Sequence, residues 1–334
     1  MSEFAFELEL CAHLEARSDD VVARQLGASV ADPGGRILDV VCLEPGPGFD
    51  DRAAITSETI PDAAIEADVG AGRARYWKDA FDCHPDRARR AMERACEIGF
   101  FEREYRNGRA YVRQVARYPD WYGRLVGIEN KPDLGRPGDL EAQLRTDASL
   151  GLVDEVVLAT ESYVTRAHLH RIPNEVGVWR VHRDETTGST GGALEVEVIR
   201  EPEPLSVDEP GIEPLEYHPG RTEIAVVDPV EKERARRRLA ERAYGKGWRT
   251  DGLPECGACR VDDSSGATLP YCSWKGRVVD ASAECAPSCG GYEPTVDPHP
   301  GEEIDLEAER DRRTPWVADP DGRRRRQSGL DRFG

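Results

Sequence analysis

Apolar positions near the N-terminus recur with helical spacing. Leu10, Cys11 and Leu14 follow Glu7 at +3, +4 and +7, which predicts an amphipathic helix over Phe4–Glu15. Two short apolar runs, Arg36–Leu43 and Arg124–Lys131, read as strands. A helical segment at Asp139–Leu150 and a buried strand at Asp154–Thr160 follow the second run. A different rhythm lies between the runs. Pro61–Ala67 reads as a short helix with Pro at its start, and Arg75–Phe81 as a second short helix. Arg87–Ile98 is a third, with Met92, Ala95 and Cys96 on its apolar face and Gly99 ending it. Phe100–Tyr105 and Arg109–Val115 flank Asn107-Gly108, the signature of a β-hairpin. Later, Ala193–Ile199 alternates as a strand does, and 231–244 reads as a basic helix.

This order predicts an α/β protein with a mixed central sheet flanked by helices. Residues 1–58 and 118–183 are the two parts of its core, and 59–117 is an insertion. Residues 184–230 form an acidic β/linker segment rich in Pro and Gly, and 231–294 carry the basic helix and a Cys-rich module. The polar tail, 295–334, is expected to be disordered.

Charge changes the picture more than length does. The 334 residues hold 45 Lys+Arg against 64 Asp+Glu, a net charge of −19, and only five of the basic residues are Lys. An acidic, Lys-poor composition resembles that of salt-in haloarchaeal proteins, where overall charge does not argue against nucleic-acid binding and local charge is the better guide. Residues 73–117 carry 12 basic against 7 acidic residues, and 232–250 carry 8 against 2. Residues 184–230 carry 2 against 12. No apolar run reaches the roughly 18 residues of a spanning helix. The N-terminus lacks the basic and apolar regions of a signal peptide, so a cytoplasmic protein without a membrane partner is expected.

Helix, helix, helix, hairpin, with Arg on the third helix and on the wing, resembles a winged helix-turn-helix. The resemblance implies that Arg87, Arg90 and Arg94 approach a groove of DNA while Arg106 and Arg109 contact phosphates.

The strand at 124–131 ends in Glu129-Asn-Lys131. Residues two apart on a strand share a face, so a carboxylate and an ammonium project together. That pair suits metal-dependent phosphodiester hydrolysis: the carboxylate holds Mg²⁺ and the Lys orients water or stabilises negative charge. Strand, helix and strand from Gly123 to Thr160 resemble the core of the PD-(D/E)XK, or restriction-endonuclease-like, nucleases. The resemblance implies Mg²⁺ (or Mn²⁺) held by Glu129 and a second carboxylate, with Lys131 assisting and Gln143 on the following helix as a further candidate. The Tyr some branches place four residues after that Gln is replaced here by Asp147.

Two residues compete for the second carboxylate. Pro119-Asp120 matches the motif by name; Asp39 precedes an apolar strand, as in archaeal Holliday-junction resolvases. With a hairpin turn at Tyr122-Gly123, Asp120 falls four residues out of register with Glu129, roughly 13 Å at strand rise, which favours Asp39. The first helix of such nucleases often supplies a Glu; Glu7 fits, with Glu9 as its alternative. The stretch also resembles an uncharacterised haloarchaeal protein family. The expected activity is DNA cleavage in repair, recombination or defence, with a homodimer among the partners the resemblance implies. The other reading is a non-catalytic DNA-binding or regulatory protein on a nuclease-like scaffold.

Of nine Cys, Cys11, Cys42, Cys83 and Cys96 are scattered, while Cys256-x2-Cys259-x12-Cys272-x12-Cys285-x3-Cys289 cluster. Two close pairs suit a Cys₄ zinc site of Cys256, Cys259, Cys285 and Cys289, with Cys272 as an alternative ligand. An iron–sulfur cluster is the competing expectation.

Overall fold

The computed structural model describes residues 2–32, 34–55, 59–183, 194–249, 256–262 and 269–295. The expected disordered tail lies outside the described residues from 296 onward. The described residues fall into two compact units, one within Met1–Glu44 and Arg124–Arg310, the other within Pro45–Gly123.

The first unit opens with α1 (Glu3–Glu15), whose first turn is capped by Ser2 Oγ accepting from the Ala5 amide at 3.2 Å. β1 (Val21–Gly27) and β2 (Ile37–Pro45) follow as an antiparallel pair. The chain then enters the second unit: α2 (Phe49–Ala53), α3 (Asp62–Ile65), β3 (Arg75–Tyr76), a 3₁₀ turn (Trp77–Asp79), α4 (Pro85–Glu97), β4 (Phe101–Arg106) and β5 (Arg109–Gln114). It returns as β6 (Tyr122–Asn130), α5 (Leu140–Leu150), β7 (Glu155–Thr160), α6 (Arg166–Leu169), β8 (Gly177–Arg183) and β9 (Leu194–Arg200). β10 (Gly211–His218) and β11 (Arg221–Val227) form a separate hairpin, and α7 (Pro229–Lys246) follows. A small sheet of β12 (Cys259–Asp262), β13 (Leu269–Cys272) and β14 (Arg277–Val278), then α8 (Ala281–Glu284), complete the described elements.

The central sheet has six strands in the order β1-β2-β6-β7-β8-β9. β6–β7 and β7–β8 are parallel, while β1–β2 and β8–β9 at the two edges are antiparallel. The protein is therefore a mixed α/β fold with helices flanking a mixed sheet. α1 buries Phe6, Leu10 and Cys11 against Val22, Val40, Ile128, Val157 and Ala159. A Cβ on Gly127 of β6 would lie 3.2 Å from Leu38 and 3.3 Å from Val153, so the strand passes close to its neighbours there.

The second unit has its own core, in which Met92 and Ala95 of α4 meet Trp77, Phe100, Phe101 and Val112. Pro85 opens α4 with His84 as its cap, and Asn107 and Gly108 turn the β4–β5 hairpin with φ of 50° and 74°. β3 pairs with β5, giving the order β3-β5-β4. The second short helix expected at Arg75–Phe81 is thus replaced by a two-residue strand and a 3₁₀ turn. Arg75 and Tyr76 find partners in Val112 and Tyr111, a long-range pairing with no local signal. The unit begins at Pro45, so the boundary read at residue 59 falls inside it. Its two chain ends are clasped by backbone bonds from Gly46 to the Trp121 carbonyl (2.7 Å) and from Gly48 to the Asp120 carbonyl (2.8 Å). A Cβ on either glycine would approach that backbone to 2.9 Å, so the clasp needs glycine.

Two further expectations are corrected here. No hairpin turns at Tyr122-Gly123, because β5 and β6 belong to different sheets. The basic helix is not a free cationic face along its length. Lys232 is buried, with Nζ donating to the Ser206 (2.8 Å) and Glu209 (2.9 Å) carbonyls, and Arg236 pairs with Asp154 at 2.7 Å.

Candidate functional site

Three of the sequence-derived carboxylates converge. Asp39 in β2 accepts the Asn130 amide of β6 through Oδ2 at 2.9 Å, which ties its carboxylate to the strand carrying Glu129. Asp39 and Glu129 are near enough for the charge of Asp39 to oppose ionisation of Glu129. Glu7 of α1, rather than Glu9, joins them through Gln25. The Gln25 amide donates to Glu7 Oε2 at 2.8 Å and to Asp39 Oδ1 at 3.2 Å. Lys131 follows the end of β6 and pairs with Glu3. Gln143 stands on α5 one turn before Asp147, half-buried. Asp120 is not part of this group; it belongs to the second unit, is exposed, and precedes β6.

Four further residues shape the site. Arg36, just before β2, is buried and fully engaged. Its Nε and Nη2 grip Asp147 of α5 at 2.8 and 2.6 Å, Nη2 also reaches Glu129 Oε2 at 2.6 Å, and Nη1 bonds the Ile37 carbonyl. Arg24 of β1 pairs with Glu7 at 2.7 Å. Gln25 stands opposite Asp39 in the β1–β2 register, between the Arg24–Val40 and Leu26–Leu38 pairs. Its φ of 54° is left-handed, a conformation that costs a non-glycine residue roughly 1–3 kcal/mol and clusters at functional sites. The surroundings hold it there: Lys246 Nζ donates to the Gln25 carbonyl at 2.8 Å, and Arg24 Nε to the Trp248 carbonyl at 3.2 Å. Sequence gave Asp147 only as a departure from a pattern, and gave Arg24, Gln25 and Arg36 no signal at all.

Acids outnumber cations in this group. Glu7, Asp39, Glu129 and Asp147 face Arg24 and Arg36, which leaves two uncompensated negative charges when all four acids are ionised. Burial, then the Asp39 charge, push the Glu129 carboxyl up to about 7 against the pull of Arg36. Burial also raises Asp39 and Glu7. The oxygen-only donor set suits Mg²⁺ or Mn²⁺, and Mg²⁺ needs only one or two carboxylates because it keeps several waters. Among the described residues the one trio of ligand atoms within 4.8 Å of one another lies elsewhere, at Glu216, His218 and Glu223 on the β10–β11 hairpin. No trio that includes Asp39 and Glu129 meets that spacing among the described residues.

A stability prediction follows from Glu129. Its folded pKa of about 7 lies above the ordinary 4.5. Its contribution is therefore fully present below about pH 4.5 and lost as pH rises through about 7, an amplitude of about 3 kcal/mol. Urea unfolding in high KCl from pH 4.5 to 8 is expected to show a larger loss in wild type than in Glu129→Gln, which keeps only the loss from the raised Glu7, Asp39 and Asp147 carboxyls. Added MgCl₂ is expected to shrink it. Parallel curves for the two proteins would mean that Glu129 is ionised throughout.

No described helix is long and apolar enough to cross a membrane. Among curated proteins and solved structures, none matches the chain. A family profile matches residues 21–294, from β1 to the end of the Cys-rich module, and the chain belongs to that family of unknown function, DUF5787.

Proposed function

We propose that this chain is a divalent-metal-dependent nuclease that hydrolyses phosphodiester bonds of DNA. One observation carries the reading: Glu7, Asp39 and Glu129, from a helix and two adjacent strands, gather beside each other with Lys131 two residues beyond Glu129. The arrangement keeps the strand, helix, strand order of β6, α5 and β7 that resembles PD-(D/E)XK nucleases. In this reading Asp39 and Glu129 hold the ion, and Glu7 fixes Asp39 through Gln25. A divalent cation held by these two carboxylates would supply Lewis-acid chemistry and a water of lowered pKa. Lys131, with a fifth of its side chain exposed, orients the attacking water and stabilises the charge that develops on the phosphate. The Arg36–Asp147 pair is a positioning pair: it fixes one Glu129 oxygen and leaves the other for the ion.

The second unit fits DNA binding. α3, β3, the 3₁₀ turn and α4, followed by a hairpin that returns to β3, follow the winged-helix order. Arg87, Arg90 and Arg94 share an exposed side of α4, and Arg106 and Arg109 flank the hairpin turn. Arg106 stacks over Tyr111 at 4.9 Å and Arg109 over Tyr76 at 5.7 Å, which holds both guanidiniums in place. Alanine at Arg106 or at Arg109 is expected to weaken DNA binding evenly across sequences. Each is also expected to lower the salt slope by about 1. Fluorescence anisotropy across a KCl series measures both; an unchanged slope would remove the wing from the phosphates.

The test is cleavage of labelled linear, branched and single-stranded DNA in high KCl, with Mg²⁺ or Mn²⁺ and with chelator. Metal-dependent products support the reading and give the substrate form. The Arg36–Glu129 ion pair favours a second reading, a scaffold in which a guanidinium takes the place of the metal. Tight DNA binding with no metal uptake by calorimetry and no cleavage would select it.

A further inference from the structure

β7 ends at Thr160, and the turn that follows it is pinned beside Lys131. The Lys131 amide donates to the Ala159 carbonyl at 2.9 Å, and Thr160 Oγ1 donates to the Pro132 carbonyl at 3.3 Å. The Leu134 amide donates to Ser162 Oγ at 3.0 Å. The next residue, Tyr163, is 71% exposed, more than any other large apolar or aromatic residue described. Its ring rests on Arg180 of β8, whose guanidinium lies 5.2 Å from the ring centroid. With that cation against one face, so high an exposure leaves the other face of the ring to solvent.

The strand register relates this pair to the candidate site. Asn130 pairs with Ala159, and Thr160 pairs with Arg180, in parallel ladders. Lys131, Thr160 and Arg180 therefore stand on one line across three adjacent strands. Ile128, Val157 and Val181 pack on the side of α1, so Glu129 and Arg180, each one residue from them, lie on the opposite face of the sheet. Two strand spacings put the Arg180 backbone about 10 Å from that of Lys131. The surroundings are basic: residues 163–183 carry four Arg and three His against one Glu, in a chain of net charge −19. Arg166, His170 and Arg171 are exposed. The nearest acid across the ladder, Glu197 of β9, pairs with His182 at 2.9 Å and holds Arg180 more loosely, at 3.8 Å.

We propose that Tyr163, backed by Arg180, is a stacking platform for an unpaired base of the bound DNA strand. The substrate is then DNA with a single-stranded segment, not continuous duplex. Its status as a substrate contact rests on the nuclease reading. A flat ring with one free face and a cation behind it suits a nucleobase, and such stacking accepts any base. A base inside a duplex already has neighbours on both faces, so only an unpaired base reaches the ring. A DNA strand advances about 3.4 Å per nucleotide, which places the stacked base about three nucleotides from a phosphate at Lys131. Tyr and Arg also anchor protein partners; the line to Lys131 and the excess of cations favour nucleic acid.

The test is fluorescence anisotropy on the full chain in high KCl with chelator, so that no strand is cut. The probes are a labelled oligo-dT strand, a duplex carrying a dT arm, and a blunt duplex. Wild type is expected to prefer the first two. Tyr163→Ala is expected to weaken binding to those two by roughly 5- to 100-fold, the range for one stacked base, and to leave the blunt duplex unchanged. Tyr163→Phe keeps the ring and is expected to bind as wild type does. Urea unfolding midpoints of both variants should match wild type, because the side chain is exposed. Equal binding of the dT strands by wild type and Tyr163→Ala would overturn the platform, whether or not the protein cuts DNA. So would an equal loss on the blunt duplex, or the same loss in Tyr163→Phe. A larger loss on an oligo-U RNA than on oligo-dT would overturn the assignment to DNA. Tyr163-dependent binding with no cleavage under Mg²⁺ or Mn²⁺ would count against the nuclease reading alone and leave the platform supported.

Discussion

Replacing Asp147 with alanine is expected to lower the stability of the protein by about 3–5 kcal/mol, the cost of leaving a buried charge without its partner. Arg36 has a side-chain exposure of 6% and uses both of its outward donors on Asp147, at 2.8 and 2.6 Å. Alanine at 147 removes two charge-assisted hydrogen bonds and leaves the guanidinium to Glu129. That carboxyl sits near its own midpoint at neutral pH, so it is a partial counter-ion only. Urea unfolding at high KCl measures the loss. The double variant Arg36→Met with Asp147→Leu is expected to recover most of it, because the charge and its partner leave together. A loss under about 1 kcal/mol from the single change would mean that water reaches the pair and that the ion network is not a buried one.

Replacing Lys131 with alanine is expected to remove at least about 100-fold of the metal-dependent cleavage rate while the fold stays intact. The two halves of that expectation rest on different observations. Lys131 pairs with Glu3, whose side chain is 59% exposed, so the ion pair contributes at most about 1 kcal/mol. The unfolding midpoint in urea should hardly move. Chemistry is another matter, since Lys131 follows directly on the strand that carries Glu129 and is not the cation that holds the Glu129 carboxylate, which is Arg36. A rate loss with unchanged calorimetric uptake of Mn²⁺ would assign Lys131 to the attack step. Unchanged cleavage would sink its role. Glu129→Ala makes a poorer first test, because it also strands Arg36.

What the sequence disclosed depended on how far apart the partners are. Glu129 and Lys131 are two residues apart on one strand, and Glu7 sits on a helix whose apolar spacing is plain, so short-range pattern was enough to nominate them. Asp39 was legible as an acid in an apolar run. The contacts that make these residues a site were not legible. Arg36 meets Asp147 across 111 positions and Glu129 across 93, and nothing near Arg36 distinguishes it from other arginines. Gln25 looks like any polar residue in a strand until its left-handed backbone and its place opposite Asp39 are seen. The two residues of β3 carry no periodicity of their own, and their strand character comes from pairing with Val112 and Tyr111. The cysteine spacing pointed to a metal module, but spacing does not show that Cys272 stands across a ladder from Cys259.

The glycine clasp at Gly46 and Gly48 bears on the order of folding. β2 and β6 are neighbours in the sheet, yet the whole of the second unit separates them in the chain. Closing a flexible loop of that length costs about 4 kcal/mol in chain entropy by the logarithmic rule, before any strand contact compensates. Once the second unit has formed its own core and its ends are tied at 2.7 and 2.8 Å, the effective loop shrinks to a few residues. Asp39 and Glu129 can then meet at little further entropic cost. The nucleation of the carboxylate site is thereby placed downstream of the inserted unit, and defects in the Phe100–Met92 core would slow its assembly.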